Sequence, residues 1–109
     1  MELGRFSVSL SVADLATSRR FYEALGFAQV AGEADQGWII LQNGEAKIGL
    51  FHGMFEGNLM TFNPTDARAI EAAMKEKGYE PVAPAEAGEG PCHFMLKDPD
   101  GNLVLVDQH

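Results

Sequence analysis

The feature that most constrains this chain is an internal repeat. Asp14 stands where a helix N-cap belongs and Gly26 where the same helix must stop; Asp66 and Gly78 repeat that pair 52 positions later. The same shift carries Ser9 onto Thr61, Leu10 onto Phe62 and Phe27 onto Tyr79. A cap whose carboxylate accepts first-turn N–H groups and a glycine able to take positive φ bracket a helix at both ends. Two such helices at one spacing predict two copies of one supersecondary unit.

The flanking pattern gives each unit its strands. From Phe6 to Val12, Val8, Leu10 and Val12 alternate with Ser7, Ser9 and Ser11, the period of a half-buried strand. Leu15, Phe21, Tyr22 and Leu25 form the apolar stripe expected of the first helix. Phe27–Val30, Trp38–Gln42 and Ala46–Phe51 read as further strands, and Asn43-Gly44 as a hairpin turn because both residues tolerate positive φ. In the second half, Ala67, Ile70, Ala73 and Met74 form the helix stripe. Tyr79–Val82 is an expected strand, Ala83–Pro91 a loop, and Cys92–Lys97 with Leu103–Asp107 a closing hairpin. The expected modules run from about 5 to 53 and about 58 to 108.

Composition narrows the partners. Eight Lys+Arg against sixteen Asp+Glu leave a net charge of −8, which disfavours nucleic acid and anionic membranes. The lone Cys92 excludes an intrachain disulfide. No run reaches the roughly 20 apolar residues of a membrane span, and the N-terminus lacks the layout of a secretory signal, so a cytoplasmic protein is expected.

Val12-Ala13-Asp14-Leu15, Phe21-Tyr22 and Leu25-Gly26-Phe27, together with Asp98-Pro99-Asp100-Gly101-Asn102, resemble the vicinal oxygen chelate superfamily. Its members include glyoxalase I, bleomycin- and fosfomycin-resistance proteins and extradiol dioxygenases. The resemblance implies an α+β fold: two βαβββ modules forming curved sheets around a cavity, with helices outside and two chains as a homodimer. It also implies four metal-ligand positions, which fall here on Ser7, Gly49, Leu59 and Leu105. Metal-binding members carry His, Gln or Glu there. Glycine and leucine offer no side-chain donor and a neutral serine is a poor ligand, so no metal and no cofactor are expected.

What remains is a set of ligand-binding candidates. Ser7, Ser9 and Ser11 present hydroxyls, or simply leave room, on the cavity face; Thr61 and Asn63 are their second-module counterparts. Trp38, Phe51, Phe55 and Met95 are candidates for an apolar wall, although either alternation of Trp38-Ile39-Ile40-Leu41 is apolar and the face of Trp38 stays open. Lys47 could counter an anionic group. His93 could hydrogen-bond a ligand or act as a general base, whereas His52 and His109 read as solvated and Cys92 as a small core residue. Glu86 and Glu89 lie in a loop that could cover the site. The expected function is metal-independent binding of a small organic molecule, in the manner of the bleomycin-resistance branch. The alternatives are a lyase, isomerase or dioxygenase with a relocated metal near His93 and Asp107, acid–base chemistry by His93 alone, and a structural or regulatory module.

Overall fold

A computed structural model describes all residues, Met1–His109. The elements in order are β1 (Arg5–Ser11), α1 (Leu15–Ala24), β2 (Ala28–Glu33), a 3-10 turn (Ala34–Gln36), β3 (Trp38–Asn43) and β4 (Ala46–Phe51). β5 (Leu59–Asn63), α2 (Ala67–Glu76), β6 (Cys92–Lys97) and β7 (Leu103–Gln108) follow. No helix is long and apolar enough to cross a membrane. The chain forms two compact units, the first Ser7–Asn58 and the second Met1–Phe6 with Leu59–His109.

In the first unit the strand order is β2-β3-β4-β1, with β1 parallel to β4 and the other neighbours antiparallel. Ile39, Leu41 and Leu50 are fully buried, and Leu10, Val12, Leu15, Tyr22, Phe27 and Ile48 pack on them. Asp14 accepts from the Thr17 N–H, and Gly26, at φ 100°, closes the helix. The expected stripe of α1 is narrower than its sequence suggests. Leu15 and Tyr22, seven residues apart, share one side and face the core. Phe21 and Leu25 lie off that line and are 62% and 60% exposed.

The β3–β4 hairpin also differs by one position. Asn43 pairs with Ala46, so the loop is Gly44-Glu45 rather than Asn43-Gly44. Only Gly44 has positive φ, 58°, the pattern of a turn with glycine at its first central position. Asn43 is spent elsewhere: its side-chain amide donates to the Leu25 carbonyl at 3.3 Å and ties down the end of α1.

The second unit orders its strands β5-β7-β6, with β5 parallel to β7 and β6 antiparallel to it. Ala67, Ile70, Cys92, Phe94 and Val106 are its buried core. Asp66 caps α2 through the Ala69 N–H. The expected strand at Tyr79–Val82 is absent. Its ladder is reduced to one bridge, Ala83 to Met95, with the Val82 N–H also donating to the Met95 carbonyl. Pro81 and Pro84 lack the N–H that a longer ladder needs. Side chains hold the stretch instead. Arg68 donates to the carbonyls of Glu86 and Gly90, Gln108 donates to Gly90, and Glu71 accepts from the Ala85 N–H.

The α+β class is observed, but the cup is not. The sheet is neither closed nor strongly curled: its order begins at β2 and ends at β6, each with a single ladder neighbour. Beyond β6 the stretch after α2 adds only the Ala83–Met95 bridge, so β6 remains an edge strand. The expected curved sheets around a cavity are not found, and the candidate residues lie on the strand faces of each unit.

Candidate functional site

In the first unit the strand alternation sends Ile39, Leu41, Leu50 and Leu10 towards α1 and puts the intervening residues on the opposite face. Register then sorts that face into rows. Glu33 pairs with Trp38, Trp38 with Phe51, and Phe51 with Ser11. The next row is Ala31, Ile40, Gly49 and Ser9, followed by Gln42 with Lys47. Trp38 thus lies on the same face as Phe51, which the sequence left open.

The aromatic side chains form one connected surface. Trp38 and Phe51 are near-parallel, 6° between planes and 6.3 Å between centroids, and Phe55 tilts against Phe51 at 5.2 Å. Gly49 makes this arrangement possible. A Cβ there would lie 2.5 Å from Cε2 of Phe51 and 3.1 Å from Cδ1 of Ile40, so the phenyl ring occupies the space that any side chain at 49 would need. Phe55 is held by the Ser11 hydroxyl, which donates to its carbonyl at 2.9 Å, while the Ser11 N–H donates to Oδ1 of Asn58. Ser9 is buried; Ser7, Lys47, Trp38, Phe51 and Phe55 are half-buried. His52, expected to be simply solvated, is exposed but sets its Nδ1 3.1 Å from the Val12 carbonyl.

In the second unit, Thr61, Leu105 and Met95 form one register row, and His93 faces Asp107 across β6 and β7. Thr61 is buried, Met95 half-buried and His93 exposed. Asn63 is already engaged: its amide donates to the Asp107 carbonyl at 2.9 Å and lies 3.3 Å from Nε2 of His109. His93 and Asp107 line a hollow of about 380 Å³ with Pro84, Glu86, Pro91 and His109. Cys92 is buried in the core beneath α2, as its size predicts.

The closing hairpin folds around Asp98. Its carboxylate accepts from the Asn102 side-chain amide at 2.9 Å, then from the backbone N–H groups of Asn102 and Asp100. These bonds hold its carboxyl below the ordinary value, the Asn102 side chain contributing most.

The family model described as Glyoxalase/Bleomycin resistance protein/Dioxygenase superfamily matches residues 4–106. The chain belongs to this superfamily. No curated protein sequence matches it. Among solved structures, a superfamily member from Vibrio splendidus 12B01 is similar at 18% identity and TM-score 0.75, covering 96% of this chain and 98% of that one. Methylmalonyl-CoA epimerase from Mycobacterium tuberculosis is similar at 19% identity and TM-score 0.68, covering 98% and 87%. The Mn(II)-bound glyoxalase from Novosphingobium aromaticivorans is similar at 17% identity and TM-score 0.67, covering 98% of this chain and 39% of that one. Likeness at these identities establishes the fold.

The metal expected of many superfamily members does not suit these residues. No group of three or more His, Cys, Asp or Glu side chains is gathered to hold an ion. Of the four positions that the resemblance implies for metal ligands, Gly49 lies under the Phe51 ring and Leu59 is a buried hydrophobe. Ser7 and Leu105 add one neutral hydroxyl and one alkyl group.

Sequence reasoning passed over Glu33. The hairpin signal at Asn43-Gly44 pairs Trp38 with Gly49, and only the observed register sets Glu33, Trp38 and Phe51 in one row.

Proposed function

We propose that the first unit binds a small planar organic molecule on the face carrying Trp38, Phe51 and Phe55, with no metal ion taking part. The observation that carries this reading is the phenyl ring of Phe51 lying over Gly49. The position that a metal-dependent relative would give to a ligating side chain supports an aromatic surface here. Flat π faces of this kind favour stacked or edge-on aromatic partners, worth about 0.5–1.5 kcal/mol per ring pair beyond area burial. Ser9 and the backbone around Ser11 border that surface, and Lys47 stands at its far end. Binding rather than turnover fits these groups, since the Ser11 hydroxyl is committed to Phe55 and no base stands beside it.

Trp38 is the only tryptophan, so its emission reports this face directly. Titration with planar aromatic compounds is expected to shift that emission and raise the melting temperature. Phe51→Ala should weaken binding about tenfold. Compounds that raise the melting temperature without touching Trp38 emission, with affinity unchanged in Phe51→Ala, would refute the reading. A homodimer is part of the proposal on the family resemblance alone, and light scattering tests it.

One observation favours a second reading. His93 and Asp107 are cross-strand partners on a polar hollow, an arrangement suited to acid–base work. Turnover abolished by His93→Ala, with Trp38 titrations unaltered, would favour it.

A further inference from the structure

The row Glu33, Trp38, Phe51, Ser11 is polar at both ends, and the ends differ. At one end the Ser11 hydroxyl is spent on the Phe55 carbonyl and the Phe55 ring closes the surface. At the other, Glu33 is exposed and enters neither of the ion pairs, which are Arg19 with Glu23 and Lys75 with Glu71. Facing residues of an antiparallel pair have Cβ atoms about 4.5–5.5 Å apart, which puts the Glu33 carboxylate within reach of the indole rim. The adjacent row, Ala31, Ile40, Gly49 and Ser9, carries no charge. Lys47 lies four residues along β4 from Phe51, roughly 13 Å away on the strand. The face thus has a negative end beside its largest π system and a positive end a molecule's length away.

We propose that the ligand is an organic cation, an ammonium or guanidinium group on an aromatic body. Its charged head sits over Trp38 beside Glu33, and its body lies on Phe51. This inference rests on the ligand reading above and adds Glu33 as the residue that selects charge. The indole face attracts a cation through its quadrupole, and Glu33 supplies the counter-charge. Lys47 repels a cation bound the other way round. The net charge of −8 favours cation encounter at low salt.

Three probes of one size separate charge from stacking: benzyltrimethylammonium, benzyl alcohol and phenylacetate, each titrated against Trp38 emission. Benzyltrimethylammonium is expected to bind about 3- to 30-fold more tightly than the alcohol. Phenylacetate should bind most weakly. Glu33→Gln should narrow the gap between cation and alcohol by about 2- to 5-fold, an effect that fades with added salt. Glu33→Lys should turn the preference towards phenylacetate. Equal affinity for cation and alcohol, or a gap unchanged in Glu33→Gln, overturns the cationic assignment and leaves planar-molecule binding standing. No response to any of the three probes also overturns it, and the planar-compound titration then decides separately whether the ligand reading falls.

Discussion

Gly49→Ala tests the packing on which the functional reading stands. Carbon atoms in contact prefer about 3.5–4.0 Å, so a new methyl 2.5 Å from Cε2 of Phe51 displaces the ring by about 1 Å or more. That movement disturbs the ring's contacts with Trp38 and Phe55, each worth about 0.5–1.5 kcal/mol. Against this, alanine in a strand interior gains about 0.5–1 kcal/mol over glycine, and the φ of Gly49 is not positive. The expected balance is a loss of about 1 kcal/mol, a fall of roughly 4–8 °C in melting temperature for a domain of this size, and a red-shifted Trp38 emission. The sharper result comes from a second background. In Phe51→Ala the ring is gone and only the flexible Cδ1 end of Ile40, 3.1 Å away, must give. The same Gly49→Ala change should then be neutral or stabilise the protein by up to about 0.5–1 kcal/mol. Equal destabilisation in both backgrounds, or unmoved Trp38 emission in the single variant, would refute the account of a ring seated over glycine.

Phe94→Ala removes the largest fully buried side chain and should cost about 3–5 kcal/mol, measured by denaturant melts. Ser11→Ala releases the Phe55 carbonyl at a cost of about 0.5–1.5 kcal/mol, and limited proteolysis should then cut sooner between Gly53 and Gly57. The Asp14 and Asp98 carboxyls are held below their ordinary values, Asp14 chiefly by the Thr17 N–H and Asp98 chiefly by Asn102. Groups depressed in this way stabilise the fold fully above the unfolded carboxylate pKa and lose that contribution as the pH falls through the folded one. Asp98→Asn should therefore lower the melting temperature at neutral and alkaline pH, leave it nearly unchanged at the acid end, and so flatten the acid limb of the pH–melting curve.

Both helices were legible from the sequence because caps and stops are local chemistry: Asp14 and Asp66 accept N–H groups three residues on, whatever else the chain does. The inward face of β1 followed from the alternation of Val8, Leu10 and Val12, whereas Trp38-Ile39-Ile40-Leu41 is apolar on both faces and left β3 open. Other features depended on distant partners. Phe21 and Leu25 fit a helical stripe as well as Leu15 and Tyr22 do, and only the placement of the sheet separates them. The hairpin shows how a single position propagates. A loop at Asn43-Gly44 pairs Gln42 with Glu45 and therefore Trp38 with Gly49; the observed loop at Gly44-Glu45 pairs Trp38 with Phe51 and creates the aromatic surface. In the observed register the Asn43 amide reaches the Leu25 carbonyl, a contact 18 residues away in sequence. The expected cup failed for a similar reason. Family motifs locate the elements, but the curvature of a sheet depends on how distant strands pair, which no local motif carries.

Because side chains of α2 replace ladder bonds along the stretch from Pro84 to Gly90, that segment's order is borrowed from a helix instead of a neighbouring strand. Hydrogen exchange at Ala85 should accordingly keep time with the middle of α2, where Glu71 sits, and not with β6 beside it. Loosening one half-buried side chain, Arg68, would let the border around Glu86 breathe while the hydrophobic interior of the second unit stayed shut.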